Sequence, residues 1–199
     1  MVKSEITIKA RENARKMMMA TGGALPVFIT DSARVPGAEA VIRGLPKGAI
    51  VICRDYDHPT RASFARQLRT VTRDCGHVFL VAGDAGLARD VGADGVHLPE
   101  HKLWQTPNLA GFSFISAACH TRRALCRAAD IGVDLALVSP AFPTRSHAGA
   151  ATLGMHRFSR LVEKTSLPVA ALGGVNVVTA KKLRPLGLAA FAAIDGFIA

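Results

Sequence analysis

Eight short apolar runs recur along this chain of 199 residues, and stretches with helix-spaced apolar side chains separate them. The runs are 25–30 (LPVFIT), 49–53 (AIVIC), 77–82 (HVFLVA), 92–98 (GADGVHL), 113–119 (SFISAAC), 135–138 (LALV), 168–172 (PVAAL) and 188–194 (LAAFAAI). Short apolar runs bounded by turn residues read as strands buried on both faces, as in a parallel sheet. Strands alternating with helices give right-handed βα units. Eight such units close into a (β/α)8 TIM barrel, an α/β fold for which this length is small. An open doubly wound sheet is the alternative, but no G-x-G-x-x-G follows the first run.

The intervening helices are expected at 3–20, 37–43, 60–73, 86–91, 121–131, 156–165 and 178–186. In the third of these, Phe64, Leu68 and Val71 fall at i, i+4 and i+7, one face of a helix. Thr121 is placed to cap the next-but-one helix. The reading is a single domain over 1–199, with 1–22 an N-terminal helix and no helix after the eighth strand. That leaves the outside of the last and first strands to be covered by the N-terminal helix or by a second copy of the chain in a homodimer.

The net charge is +10. The basic residues are spread over nearly every helix, and one Trp and one Tyr give no stacking platform, so the charge reads as solvated helix faces and not a nucleic-acid footprint. No apolar run reaches the length of a membrane span and the N-terminus lacks a signal-type apolar region, which implies a cytoplasmic protein. None of Cys53, Cys75, Cys119 and Cys126 forms a C-x-x-C. Reduced, mostly buried thiols are expected, and Cys119 is not expected to pair with adjacent His120, because neighbours on a strand face opposite ways.

The loops after the strands carry the chemistry in such a barrel. After the sixth strand come Ser139-Pro140, then Pro143, Thr144, Arg145, Ser146, His147 and Gly149. Hydroxyls, an Arg fork and free amides suit an anion, most simply a phosphate. Arg54, at the end of the second strand, is a candidate anion clamp. His120, at the end of the fifth, is a candidate general acid/base, an imidazole's ordinary pKa suiting proton transfer near neutrality, with a surface or hydrogen-bonded His as the other reading. His97, inside GVHL, reads as a core residue, Asp31 as a cap, and His58, His101 and His147 match no metal-ligand spacing.

Taken in order, GADGVHL, the strand-five His, SPAFPT and ALGGVN resemble the thiamin phosphate synthase superfamily, including its thiazole tautomerase (TenI-like) branch. The resemblance runs from Leu25 to Ile194. It implies a protein of thiamin biosynthesis whose ligands are a phosphorylated thiazole and a phosphorylated pyrimidine. The synthase branch couples the two with loss of pyrophosphate and uses magnesium; the tautomerase branch needs no metal. Carried over by residue, the resemblance places a phosphate at Gly173 and Gly174, matches Arg54 and His120, and keeps Thr144 in the loop, with Ser146 and His147 in place of Thr and Lys. Tyr56 replaces a Lys. The two magnesium carboxylates fall on Gly83 and Lys102, with Asp84 and Glu100 close by as the remaining metal-ligand candidates. Asp195 stands where the family has a phosphate-site Ser. A carboxylate about 4 Å from a phosphate, at an effective dielectric near 20, repels it by roughly 4 kcal/mol. Either Asp195 points away, or the ligand is not a phosphate bound in the family's way. On residues the tautomerase branch fits better, with a non-catalytic ligand-binding barrel as the alternative.

Overall fold

The computed structural model describes residues 2–105, 108–143 and 154–199. Eight parallel strands close in sequence order: β1 (Leu25–Ile29), β2 (Ile50–Cys53), β3 (Val78–Ala82), β4 (Gly95–Leu98), β5 (Phe114–Cys119), β6 (Leu135–Val138), β7 (Val169–Ala171) and β8 (Ala190–Ala193). Closure is made by β8 on β1, with Leu25 opposite Ala190 and Phe28 opposite Ala193. Most strand residues are fully buried, as a parallel sheet covered on its outer face demands. Between β4 and β5 the backbones come so close that a Cβ on Gly95 would lie 1.7 Å from the Phe114 carbonyl oxygen. Only glycine fits there.

The outer layer is α1 (Lys3–Thr21), α2 (Ala38–Gly44), α3 (Arg61–Cys75), α4 (Ala85–Asp90), α5 (Arg122–Asp130) and α6 (Gly154–Val162). α1 ends at Gly22, whose φ of 85° supplies the left-handed cap. After β4 the crossover is a 3-10 turn, Glu100–Trp104, in a stretch where no helix was expected. After β7 the expected α-helix over 178–186 is instead a 3-10 segment, Ala180–Leu186. Pro185 lies inside it, and its missing N–H and fixed ring oppose an α-helical ladder. Thr121 does cap α5, its hydroxyl accepting from the Ala124 amide at 3.1 Å.

No helix follows β8 among the described residues. α1 fills that place, packing against α2 on one side and Ala180–Leu186 on the other. Its Ala10, Ala14 and Met17 are fully buried. Its buried Asn13 donates to the carbonyls of Phe197 at 3.1 Å and Ala199 at 3.3 Å, tying the helix to the turns after β8. Met19 is 68% exposed, so only part of the Met17–Met19 triplet makes the contact. No described helix is long and apolar enough to cross a membrane.

Candidate functional site

Because all strands run the same way, the segments after β1–β8 meet at one mouth, and the residues singled out there divide into two sides. On the side of β6, β7, β8 and β1 lies a cleft of about 400 Å³ whose walls include Arg34, Arg54, Ser139, Gly173, Gly174 and Asp195. Gly173 and Gly174 follow β7 with positive φ. At Gly174 (φ 65°) a Cβ would come within 2.4 Å of the Pro143 carbonyl oxygen, so the wall closes only on glycine. Gly196, after β8, also lines the cleft. The amides of Gly174 and Gly196 enter no hydrogen bond among the described residues.

Two ion pairs flank this cleft. Arg54 Nη2 lies 2.8 Å from Asp31 Oδ2, and Arg34 Nη2 lies 2.6 Å from Asp195 Oδ2. Asp31 is the hinge between them, since its Oδ1 also accepts the Arg34 amide at 3.2 Å. It caps a turn, as expected, but also clamps Arg54. Asp55 is held by the Thr30 hydroxyl and by the Ser32 amide at 2.6 Å. Burial pushes the Asp55 carboxyl up, but those hydrogen bonds outweigh it and the net shift is downward.

His120 sits at the end of β5, exposed, its Nδ1 donating to the Ser139 carbonyl at 2.9 Å. The Ser139 hydroxyl is 3.2 Å from the same nitrogen. This fixes the tautomer and leaves Nε2 as the exchangeable nitrogen. The His120 ring lines a shallow groove with Arg122, Arg157 and Arg160, and its partner Ser139 lines the cleft, so the ring stands at the border of the two. Below the mouth, buried His97 bonds Ser116 Oγ at 2.9 Å. Burial, then the charges of Arg54 and His120, push its pKa down to about 4, so it is a neutral core residue. Cys119 is pushed up to about 12, by burial first and then by Glu100, and is an inert thiol.

The side of β2, β3 and β4 is different. Arg61 Nη2 donates to the Ala82 carbonyl at 2.6 Å, and Lys102 Nζ donates to the Gly83 carbonyl at 2.5 Å. The Tyr56 ring lies beside Gly83, and Arg61 stacks over it at 5.3 Å from the centroid. Asp84 caps α4 by accepting the Leu87 amide at 2.9 Å and pairs with Arg61 at 3.8 Å. Glu100 accepts the His120 amide at 2.5 Å. No group of three metal-ligating side chains occurs among the described residues. A hard divalent cation asks for convergent oxygens. Here the two strand-end carbonyls face cations, and one oxygen of each carboxylate accepts a backbone amide. Arg61 and Lys102 repel a divalent cation on this side.

Arg54, Gly173 and Gly174 thus share one cleft, His120 adjoins it, and Asp84 and Glu100 lie apart from it. Thr144, Arg145 and Ser146 fall outside the described residues. Arg34, Arg61 and Lys102 were not expected. Only the D-S-A-R spacing hinted at Arg34, and its partner Asp195 lies 161 positions away.

The profile of the family described as thiamine monophosphate synthase (TMP-TENI) matches residues 27–197. A thiamine-phosphate synthase of Thioalkalivibrio sulfidiphilus is 31% identical over 166 residues, covering 81% of this chain and 79% of its own. One from Pyrococcus furiosus is 30% identical over 172 residues, covering 84% and 83%. The solved thiamine phosphate pyrophosphorylase from Pyrococcus furiosus superimposes with a TM-score of 0.70 at 29% identity, covering 89% of this chain and 88% of that one. A 2-keto-3-deoxy-6-phospho-gluconate aldolase from Zymomonas mobilis shares the fold alone, with a TM-score of 0.53 at 14% identity. With its closed eight-stranded barrel and a profile match over nearly its whole length, the chain belongs to the thiamine monophosphate synthase (TMP-TENI) family.

Proposed function

We propose that this chain binds a phosphorylated thiazole in the cleft between β6 and β1 and moves a proton on its ring, in the manner of the tautomerase branch, without coupling it to a pyrimidine diphosphate. The observation that carries this reading is the β2–β4 side, where Arg61 and Lys102 cap the carbonyls of Ala82 and Gly83. Coupling would need a divalent cation to neutralise a departing pyrophosphate. That side offers cations held on backbone carbonyls and, among the described residues, no group of three metal-ligating side chains. The opposite side offers what a single phosphorylated ligand needs: two glycine amides, Arg54 and a cavity of about 400 Å³. Gly174 and Gly196 N–H would take phosphate oxygens, Arg54 would orient the ring end, and His120, fixed by Ser139, would give and take the proton. Membership in a family named for a synthase and the intact strand-five His favour an enzyme over a silent binding barrel.

The test is calorimetric titration with the thiazole phosphate, followed by NMR of solvent deuterium entering the bound ring. Binding with exchange, and no thiamin phosphate when the pyrimidine diphosphate and magnesium are added, is the expected result. Coupling at a rate comparable to exchange would overturn the tautomerase reading. Binding without exchange would mean a non-catalytic barrel.

A further inference from the structure

The carboxylate of Asp195 stands on the wall of a cleft proposed to hold a phosphate, which looks self-defeating. The backbone around it is anchored. The Asp195 carbonyl accepts the amides of Ile198 and Ala199, both at 2.9 Å, and a Cβ on Gly196 would lie 2.2 Å from the Val175 carbonyl oxygen. Left alone at about 4 Å from a phosphate, such a carboxylate would cost roughly a thousandfold in affinity. It is not alone. Arg34 Nη2 lies 2.6 Å from Oδ2, and Arg34 is itself set in a turn by its amide on the Asp31 carbonyl at 3.1 Å. Asp31 in turn holds Arg54 at 2.8 Å. The charges alternate along this line and sum to zero.

We infer that Arg34 is a positioning residue whose task is to hold and neutralise Asp195, so that the amides of Gly174 and Gly196 are able to donate to an anion; this rests on the phosphate reading of the cleft. Arg34 acts through Asp195 and not on the reacting atoms. A residue that matters only because of a neighbour has a distinctive signature: its loss is harmful while the neighbour remains and harmless once the neighbour is gone. A residue needed merely for the shape of the β1–α2 turn would be missed in both backgrounds.

The experiment is a double-mutant cycle read by calorimetry with the thiazole phosphate and, separately, inorganic phosphate. The four proteins are wild type, Arg34→Ala, Asp195→Ser, and both together. Thermal melting of each checks that it is folded. Arg34→Ala is expected to lose at least a hundredfold in affinity. Asp195→Ser is expected to bind as tightly as wild type or tighter, and the double variant to return to within about tenfold of wild type. Retained affinity in Arg34→Ala, or no recovery in the double variant, would overturn the inference while leaving the cleft's reading in place. Binding that appears only in Asp195→Ser would also overturn it, because Arg34 would then fail to neutralise the carboxylate. No binding by any of the four would remove the phosphate reading and the inference together.

Discussion

At the end of β3 the carbonyls of Ala82 and Gly83 each receive a cation, from Arg61 at 2.6 Å and Lys102 at 2.5 Å. Across the mouth, the two arginines Arg34 and Arg54 are bound to carboxylates, and the amides of Gly174 and Gly196 enter no hydrogen bond among the described residues. Both sides use the same residue types. They differ in what the cations touch most closely, since Arg61 is 2.6 Å from a carbonyl and 3.8 Å from Asp84. A cation on a carbonyl saturates a strand end and closes it to a metal; a cation on a carboxylate cancels a charge and leaves the neighbouring amide dipoles available for an anion. The number of basic residues near a barrel mouth therefore says little about where an anion binds.

The strongest way to break this comparison is to remove His120, which stands at the seam. In His120→Gln the Nδ1 anchor to Ser139 is replaceable but no imidazole remains at the end of β5 to carry the proton. Proton exchange into the bound thiazole should fall by about 10²–10⁴-fold, with the calorimetric affinity within a few-fold of wild type. Unchanged exchange would move the acid/base role to another group and detach His120 from the open side.

A second prediction concerns His97, beneath Arg54 and His120. Its pKa in the folded protein is about 4, against about 6.5 for a free imidazole. The unfolded chain therefore takes up this proton first as the pH falls. The stability tied to neutral His97 is fully present above about pH 6.5 and is lost progressively toward pH 4, a loss of about 3 kcal/mol. His77 is shifted downward too, by burial, and adds to the slope with the same sign. Urea denaturation between pH 7 and pH 5 should show falling stability, and a smaller fall in His97→Gln. Equal slopes in the two proteins would mean that His97 is not held neutral.

The third prediction separates the sides directly. Lys102→Met removes a charged hydrogen bond to the Gly83 carbonyl, worth about 2 kcal/mol. The melting temperature should drop while thiazole phosphate affinity stays within a few-fold. A tenfold loss of affinity would make Lys102 part of the ligand site and end the division.

Much of this fold could be read from residue pattern alone, because eight apolar runs with helix-spaced segments between them admit few closures. The exceptions have local causes. Pro185 turned an expected α-helix into a 3-10 segment, and the five residues after Pro99 coil as a 3-10 turn with too little apolar periodicity to announce it. In the candidate site, Arg54, Gly173, Gly174 and His120 were legible because each follows a strand end. Arg34 was not, since its partner is set by barrel closure and lies 161 positions away. The doubt raised by Asp195 could be stated from sequence, but its neutralisation depends on β8 meeting β1.

The smallest expected effect is the sharpest negative. Asp84 and Glu100 were the remaining candidates for magnesium, yet Asp84 Oδ1 caps α4 at 2.9 Å and Glu100 Oε2 takes the His120 amide at 2.5 Å. Each keeps a second carboxylate oxygen, but a cation reaching it would approach Arg61 and Lys102. Thiazole phosphate affinity, exchange rate and melting temperature should therefore be the same, within about twofold or one degree, in EDTA and in millimolar magnesium. A ligand that binds the folded state at a hundredfold over its Kd stabilises it by about 2.7 kcal/mol, which a melting curve would register. A clear upward shift with magnesium would show that the β2–β4 side opens, and that the two sides of the mouth are not as different as their hydrogen bonds make them.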